Sequence, residues 1–448
     1  MFHLIVLVAL TQGGVVGGGE VRRSDPSAVL EAGFARVDMD PPMGLSLQGY
    51  FEVRPADGVR DPVQINCVAL SDRTRKAILF SLDLESVHGL MDDWRRRIAR
   101  AVGTDPACVY IACTHTHTGP AVGPVESSFE ITVPSSKDFD ERLCGRLERA
   151  ARSAVADLAP TTIAVARTSC QGISFIRRYR MRDGTVRTNP GVGNSNIVCA
   201  VGMPDETVQL VRFRRAKGDI ALVNFQCHPD VIGEGNAYSA DWPGFVRHRV
   251  ESSRPGVNCM VFNGAQGDTN HIDVSPGGRR CGGYGHARMM GEKIGDAALS
   301  VWDEAESVPA GEIRGCVKEV VVPFRKTPTP GIRDACRTAG WLARVEDYRL
   351  AHLASKPDVW PVPVSTLTVG RSLAFAGLPG EPFAAIGREV KSRSPYRLTV
   401  FTCLTNGAFG YIPDENSYEG SSYESVSTVF NSISAHLLVE SLVDLLRS

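Results

Sequence analysis

Two histidines one residue apart, His115 and His117, stand in the run Cys113-Thr114-His115-Thr116-His117-Thr118-Gly119-Pro120, where an apolar stretch meets a Gly-Pro turn. Imidazole is both a neutral metal ligand and a proton carrier near neutral pH, so the pair predicts either a metal site or an acid/base pair. In an extended segment the side-chain period of two would aim both rings at one ion or one reacting group. The competing reading is a polar strand end whose histidines only cap backbone groups, and an isolated His-x-His does not separate the two.

The elements that must position these rings are legible as apolar runs at 77–82, 109–113, 220–225, 257–262, 373–376 and 398–404. Several end alike, in polar residues and a Gly or Pro turn. Run 220–225 leads to Cys227-His228-Pro229-Asp230, run 257–262 to Asn263-Gly264-Ala265-Gln266-Gly267-Asp268-Thr269-Asn270-His271, and run 373–376 to Pro379-Gly380-Glu381. Strand carboxyl ends form the usual crevice of an α/β sheet, so these segments are expected to converge. Two imidazoles and a carboxylate suit Zn2+ with a position left for water, and the net positive charge of such a site acidifies that water. Alone, His228 reads equally as a loop histidine, and Glu381 as an acidic residue at the start of a helix with Pro382 in its first turn.

Between the runs lie helical patterns. Segment 138–158 carries Leu143, Leu147, Ala150, Ala154 and Leu158 on one stripe, with Asp138 as its expected N-cap. Further helices are expected at 91–102, 242–252, 285–302, 334–350, 382–391 and 427–446. The alternation predicts an α/β or α+β fold, mixed β-sheets covered by helices, in a single domain over 20–448. The loop-rich stretches 119–137 and 172–205 are long for passive connections and are expected to form lids or binding loops.

Composition narrows the partners. With 49 Lys and Arg against 50 Asp and Glu over 448 residues, the chain offers no basic field for nucleic acid and no polybasic membrane patch. Residues 1–19 hold an apolar run at 4–10 followed by small residues, which resembles an export signal without the usual basic start and predicts a soluble protein that is secreted or periplasmic. A misassigned start codon or a buried first strand is the alternative. No later segment has the ~20 apolar residues of a transmembrane span. Twelve cysteines are too dilute for a disulfide scaffold, and Cys67, Cys108, Cys199 and Cys259 read as small core residues.

Taken in order, 113–120, His228-Pro229, Tyr238-Ser239-Ala240-Asp241-Trp242-Pro243-Gly244, 263–270, Pro379-Gly380-Glu381-Pro382-Phe383 and Tyr418-Glu419-Gly420 resemble the signature segments of the neutral (non-lysosomal) ceramidases and their bacterial relatives. The resemblance runs from about residue 32 to residue 423. It implies a single catalytic domain of that type and a zinc-dependent amidase that splits an N-acyl sphingoid amide, a lipid substrate, into fatty acid and amine. By the same resemblance His115, His228, Glu381 and Tyr418 hold one Zn2+, while His117 sits beside the ion to bind the oxyanion or move a proton. Arg177, or Arg178 next to it, faces the substrate carbonyl. Asp241 and Asp268 are expected to brace the loops, with a structural metal at Asp268 as an open alternative.

Two departures qualify the transfer. The family carries a serine one residue after the Gly-Asp of its fourth segment; here that position is Asn270, which can donate a hydrogen bond but cannot be an acyl acceptor. Hydroxide on the zinc is therefore the expected nucleophile. The family also adds a C-terminal β-sandwich module, whereas 30 residues follow Tyr418, and these read as a final helix. Two rival readings are an amidohydrolase barrel, which expects eight βα units and both histidines on metal, and a secreted binding protein on the same scaffold without turnover. A zinc hydrolase of a different small amide or ester is a third.

Overall fold

The computed structural model describes residues 30–123, 125–126, 132–278, 281–329, 340–418 and 420–448. The signal-like leader 1–19 and residues 334–339 of the helix expected at 334–350 lie outside the described residues. A nine-stranded sheet contains β1 (Leu30–Asp38), β2 (Gln64–Ser71), β3 (Lys76–Leu82), β4 (Val109–Cys113), β5 (Ala159–Ser169), β6 (Thr207–Arg214), β7 (Ile220–Phe225), β8 (Asn258–Asn263) and β9 (Glu306–Val308). Its order is β8-β7-β6-β5-β1-β2-β3-β4, with β9 beside β5. A second sheet has the order β10 (Ile313–Pro323), β11 (Val359–Val369), β12 (Leu373–Gly377), β13 (Leu398–Thr402).

The sheets stack face to face through Leu79, Tyr110, Phe213, Met260 and Phe262 on one side and Leu367, Phe375 and Val400 on the other. Helices cover both outer faces. Helices α1 (Met91–Val102) and α2 (Lys137–Ala156) bury Trp94, Ile98, Leu143 and Leu147 against β2 to β4. Helices α3 (Asp241–Ser253) and α4 (Tyr284–Ser300) bury Trp242, Val246, Met290 and Ile294 against β6 to β8. On the second sheet, α6 (Ala384–Arg393) and α8 (Ser434–Arg447) cover Val362, Val364 and Phe401, while α5 (Gly340–Ala354) packs on the short α7 (Tyr423–Ser427). Because both faces of β3, β4, β7, β8, β12 and β13 are buried, these strands read as unbroken apolar runs and not as alternating ones.

The expected mixed sheets under helices are therefore present, as a four-layer αββα sandwich. Most strand pairs of these two sheets are antiparallel, but three are parallel, β3/β4, β7/β8 and β12/β13, and each is joined by a crossover helix, α1, α3 and α6 respectively. These three units bring their strand ends to one place. Asn263 ties them there: its Nδ2 donates to the carbonyls of Thr114 (2.9 Å) and Cys227 (3.1 Å), and its own carbonyl accepts from Cys403 N (3.1 Å).

Several local expectations are corrected. Ser136, not Asp138, caps α2, accepting from Phe139 N, because its backbone is the extended residue before the first turn. Cys199 is exposed on the short strand Ile197–Ala200, whereas Cys67, Cys108 and Cys259 are buried. The stretch 172–205 is not simple loop: Arg178–Met181, Val186–Thr188 and Ile197–Ala200 form a small antiparallel sheet. The last helix starts at Ser434, not near 427, where α7 ends. Among the described residues no helix is long and apolar enough to cross a membrane.

Candidate metal centre

His115 and His117 do meet, but not as a strand would bring them together. The chain leaves β4 at Cys113, and His115 adopts a left-handed backbone with φ of 73°, a conformation that costs energy outside glycine and is concentrated at functional sites. The turn is held by Thr114 N on Leu82 O (2.8 Å), His115 N on Leu84 O (2.9 Å) and His117 N on Pro229 O (3.0 Å). Gly49 lies against the His117 ring, where a Cβ would stand 2.5 Å from Nδ1, so only glycine leaves room there.

The unit β7-α3-β8 delivers His228, and β12 delivers Glu381. Gly267 closes the approach, since a Cβ on it would sit 2.2 Å from the Glu381 carbonyl. The result is a four-atom focus: His115 Nε2 lies 3.1 Å from His228 Nε2, 3.2 Å from His117 Nε2 and 3.2 Å from Glu381 Oε2, and His228 Nε2 is 3.3 Å from Glu381 Oε2. All four side chains are buried.

The tautomers decide what this means. His115 Nδ1 and His228 Nδ1 are each 3.0 Å from a backbone carbonyl, of Glu85 and Gln266. A carbonyl only accepts, so both Nδ1 atoms carry the proton and both Nε2 atoms present lone pairs to each other and to a carboxylate. Glu381 Oε2 has no hydrogen-bond donor. Buried acceptors facing acceptors are satisfied by a metal ion among them or by a proton on His115 Nε2 shared with Glu381. A tetrahedral ion with ligands at 2.0–2.1 Å would set its ligands about 3.3 Å apart. The donor set fits. Without an ion, burial disfavours the charged form of His115 but Glu381 outweighs it and pushes its pKa up to about 9, while burial and His115 hold His117 well below its usual range.

His117 differs from the other two rings in having no carbonyl on Nδ1. It also belongs to a three-histidine group capable of holding a metal ion. Arg177 stands beside the focus, with its guanidinium 5.4 Å from the Tyr411 ring, Nε 2.6 Å from Glu424 Oε1 and Nη2 on the Gly267 carbonyl. Arg178 is turned away: Nε donates to Ser422 Oγ, Nη1 to Ser417 Oγ and Nη2 to Ser417 O.

Two predicted residues are not brought to the focus. Tyr418 donates its hydroxyl to Asn431 O (3.1 Å), under the Arg325 guanidinium, because the 3-10 turn Glu415–Tyr418 and the grip of Arg178 on Ser417 aim it outward. Three phenols lie nearer: Tyr50, 5.1 Å from the His117 ring, Tyr411, stacked on His228 at 6.4 Å, and Tyr423, 5.4 Å from Tyr411; burial and then Glu381 raise the pKa of the last two. Asn270 is engaged at both amide atoms, donating to Asn189 Oδ1 (2.9 Å) and accepting from Ile272 N (3.0 Å), and so braces the segment beside Arg177. The two bracing carboxylates act as expected. Asp241 accepts from the amides of Val231, Ile232 and Trp242. Asp268 accepts from Ala384 N through Oδ1, and its carbonyl accepts from Arg177 N.

Sequence reasoning missed Tyr411, Tyr423, Glu424 and Glu85. Tyr423 was open to view as a second tyrosine five residues after Tyr418, and only packing separates the two. At the opposite end of β3 and β4 a cavity of about 770 Å3 is lined by Arg73, Arg75, Lys76, Arg96 and Arg100, so the positive side chains are less evenly spread than composition implied.

Four layers with a buried histidine-carboxylate focus at the ends of three βαβ units define a mixed α/β scaffold built around a candidate metal centre. That scaffold is shared with the neutral ceramidase from Pseudomonas aeruginosa, at a TM-score of 0.72 and 17% identity over 93% of this chain and 74% of that one. A ceramidase complexed with C2 aligns similarly, at 0.69 and 17% over 93% and 75%. No family model and no curated protein matches the sequence. The fold is thus the neutral ceramidase fold, as the ordered segments implied.

Proposed function

We propose that the protein is a zinc-dependent amidase that hydrolyses an N-acyl amide of the ceramide type to a fatty acid and an amine. The carrying observation is the set of bare Nε2 lone pairs 3.1–3.3 Å from one another and from Glu381 Oε2. His115, His228 and Glu381 would hold Zn2+, with the Tyr423 phenol in the place first expected of Tyr418. When bound, the ion supplies a Lewis acid that polarises a carbonyl and acidifies water.

The chain's own residues do the rest. His117, whose ring is not anchored by a carbonyl, donates to the oxygen that gains charge as the amide carbon becomes tetrahedral. Arg177 has Nη1 left for the same oxygen once Glu424 and Gly267 have taken Nε and Nη2. With Asn270 engaged and unable to form an ester, water is the nucleophile and no acyl-enzyme forms. A lipid substrate is favoured over a small amide by the aromatic surface at the mouth: Tyr423 packs on Phe51 (5.7 Å) and Trp341 (5.6 Å), which are 37% and 42% exposed. An exported enzyme agrees with the leader at 1–19.

The test is elemental analysis together with a hydrolysis panel of long-chain N-acylsphingosines, short N-acyl amides and esters. About one zinc per chain with preferential cleavage of the long-chain amides supports the reading; a metal-free protein, or cleavage of esters alone, sinks it. The alternative that His117 is a third imidazole ligand predicts that His117→Ala loses metal.

A further inference from the structure

We propose that the basic cavity at the far end of β3 and β4 binds a dissolved small molecule through its phosphate group, at a site separate from the metal centre. One wall is the β2-β3 hairpin, which carries Arg73, Arg75 and Lys76, and the other is the carboxyl end of α1, which carries Arg96 and Arg100. The floor is closed and uncharged, since Ser71, Ala99 and Cys108 are buried. In a chain whose formal net charge is −1, five cations around one hollow are a concentration that composition does not require.

The acids nearby do not answer all five. Arg75 Nη1 is paired with Glu312 Oε1 (2.8 Å) and Arg96 Nη1 with Asp92 Oδ2 (2.5 Å). Asp72 accepts from the amides of Thr74, Arg75 and Ile313, and Asp105 from that of Ala107. Among the described residues no carboxylate forms an ion pair with Arg73, Lys76 or Arg100. Helix α1 ends on Gly103, and Lys76 Nζ lies 3.9 Å from where a Cβ on that glycine would stand. The free carbonyls of a helix end amount to about half a negative charge, so they answer at most one of the three cations.

Arg73 also holds a conformation that glycine would adopt at less cost. It stands in the hairpin turn with φ of 71°, its amide donating to Ser71 Oγ (3.1 Å), and left-handed backbone outside glycine is concentrated where a side chain has a use. A phosphate group suits this set: it carries about −1.5 to −2 charge at pH 7 and three acceptor oxygens, and guanidinium groups present paired N–H donors to it. At about 770 Å3 the hollow has the size of a small-ligand site and exceeds what a phosphate group fills, so the ligand carries an organic body as well. It lies a strand length, ~23 Å over the seven residues of β3, from the end where Phe51 and Trp341 gather. A membrane laid against that aromatic surface leaves the cavity facing solution, which favours a dissolved ligand over a lipid headgroup.

The test is calorimetry of the full chain with inorganic phosphate, AMP and adenosine, beside co-sedimentation with phosphatidylcholine vesicles containing phosphatidic acid. Phosphate and AMP are expected to bind at about one per chain, AMP more tightly, with affinity falling as salt rises, and adenosine not to bind. The double variant Arg73→Gln/Arg100→Gln should bind both anions about tenfold or more weakly, with zinc content unchanged. Arg73→Gly separates ligand binding from folding: glycine suits the left-handed turn, so its melting temperature should equal or exceed that of wild type while AMP affinity falls. A lower melting temperature with unchanged affinity assigns Arg73 to the turn alone and overturns the proposal. So does the absence of binding by either anion, or binding that the double variant leaves intact. Vesicle binding without binding of the dissolved anions overturns it in favour of a headgroup site. None of these outcomes depends on whether an amide is cleaved.

Discussion

Two buried polar clusters meet at Arg177, and they differ in completeness. Behind it, Arg178 has donors on Ser417 and Ser422, and Glu424 is ion-paired with Arg177 through Oε1 (2.6 Å) and accepts from Thr188 Oγ1 (2.7 Å) through Oε2. In front of it, the Nε2 atoms of His115 and His228 face each other and Glu381 Oε2 at 3.1–3.3 Å. Burial makes every unmet charge costly, so the first cluster is balanced by its own ion pair while the second is a group that could hold a metal ion. The comparison separates residues that support from residues that react, within one continuous region.

Breaking the incomplete cluster should have the largest effect on chemistry. His115→Ala, His228→Ala and Glu381→Ala are each expected to lose zinc and activity together, by elemental analysis and a turnover assay, and full zinc in all three would show the focus is misassigned. Breaking the complete cluster should instead cost stability: Glu424→Ala leaves Arg177 buried and unpaired, at about 3–5 kcal/mol in denaturant unfolding. Full stability in that variant would end the distinction. His117→Ala should keep zinc while the rate falls by about 10²-fold, the worth of one oxyanion donor.

Smaller effects sharpen the boundary. Tyr418→Phe loses one hydrogen bond to Asn431 O, about 1 kcal/mol of stability, with zinc and rate unchanged, whereas Tyr423→Phe should weaken zinc binding. The reverse outcome would restore Tyr418 to the centre. Mass spectrometry of enzyme quenched in turnover should find no acyl adduct; one on Thr269, beside Asn270, would replace water as nucleophile. Asp241 tests the bracing carboxylates by pH. Burial pushes its pKa up to about 7 in spite of three amide donors. A folded value above the unfolded one means its contribution is present in full below about pH 4 and is lost as pH rises toward 7. Asp241→Asn should therefore be more destabilising at pH 5 than at pH 8, and the same difference at both would show that this carboxyl does not titrate there.

The legible part of the fold was what burial on both faces writes into a strand. Runs 109–113 and 220–225 match β4 and β7 because unbroken apolar sequence marks a doubly covered strand. The long β5, β10 and β11 carry intermediate or exposed residues along their lengths and left no such mark. The loop at 172–205 hid a small sheet for the same reason: its short strands are half exposed and held by backbone pairing.

At the site, residue type and strand-end position were enough to pick out His115, His117, His228 and Glu381, which the fold brings together. They were not enough for the phenol, since Tyr411, Tyr418 and Tyr423 lie within one loop-rich stretch and differ only in what Arg178 and the turn at 415–418 do to their direction. Glu85 was invisible because an acidic residue after a strand has no distinguishing chemistry until its neighbours are known.

The sequence by itself thus determined which residue types stand at the strand ends and the alternation of strands with covering helices, because these depend on local chemistry and hydrophobic pattern. Tertiary structure alone decided which atoms face one another. The left-handed turn at His115, the carbonyls that fix the protons on two Nδ1 atoms and the outward aim of Tyr418 all come from contacts between segments distant in the chain, and no local pattern encodes those.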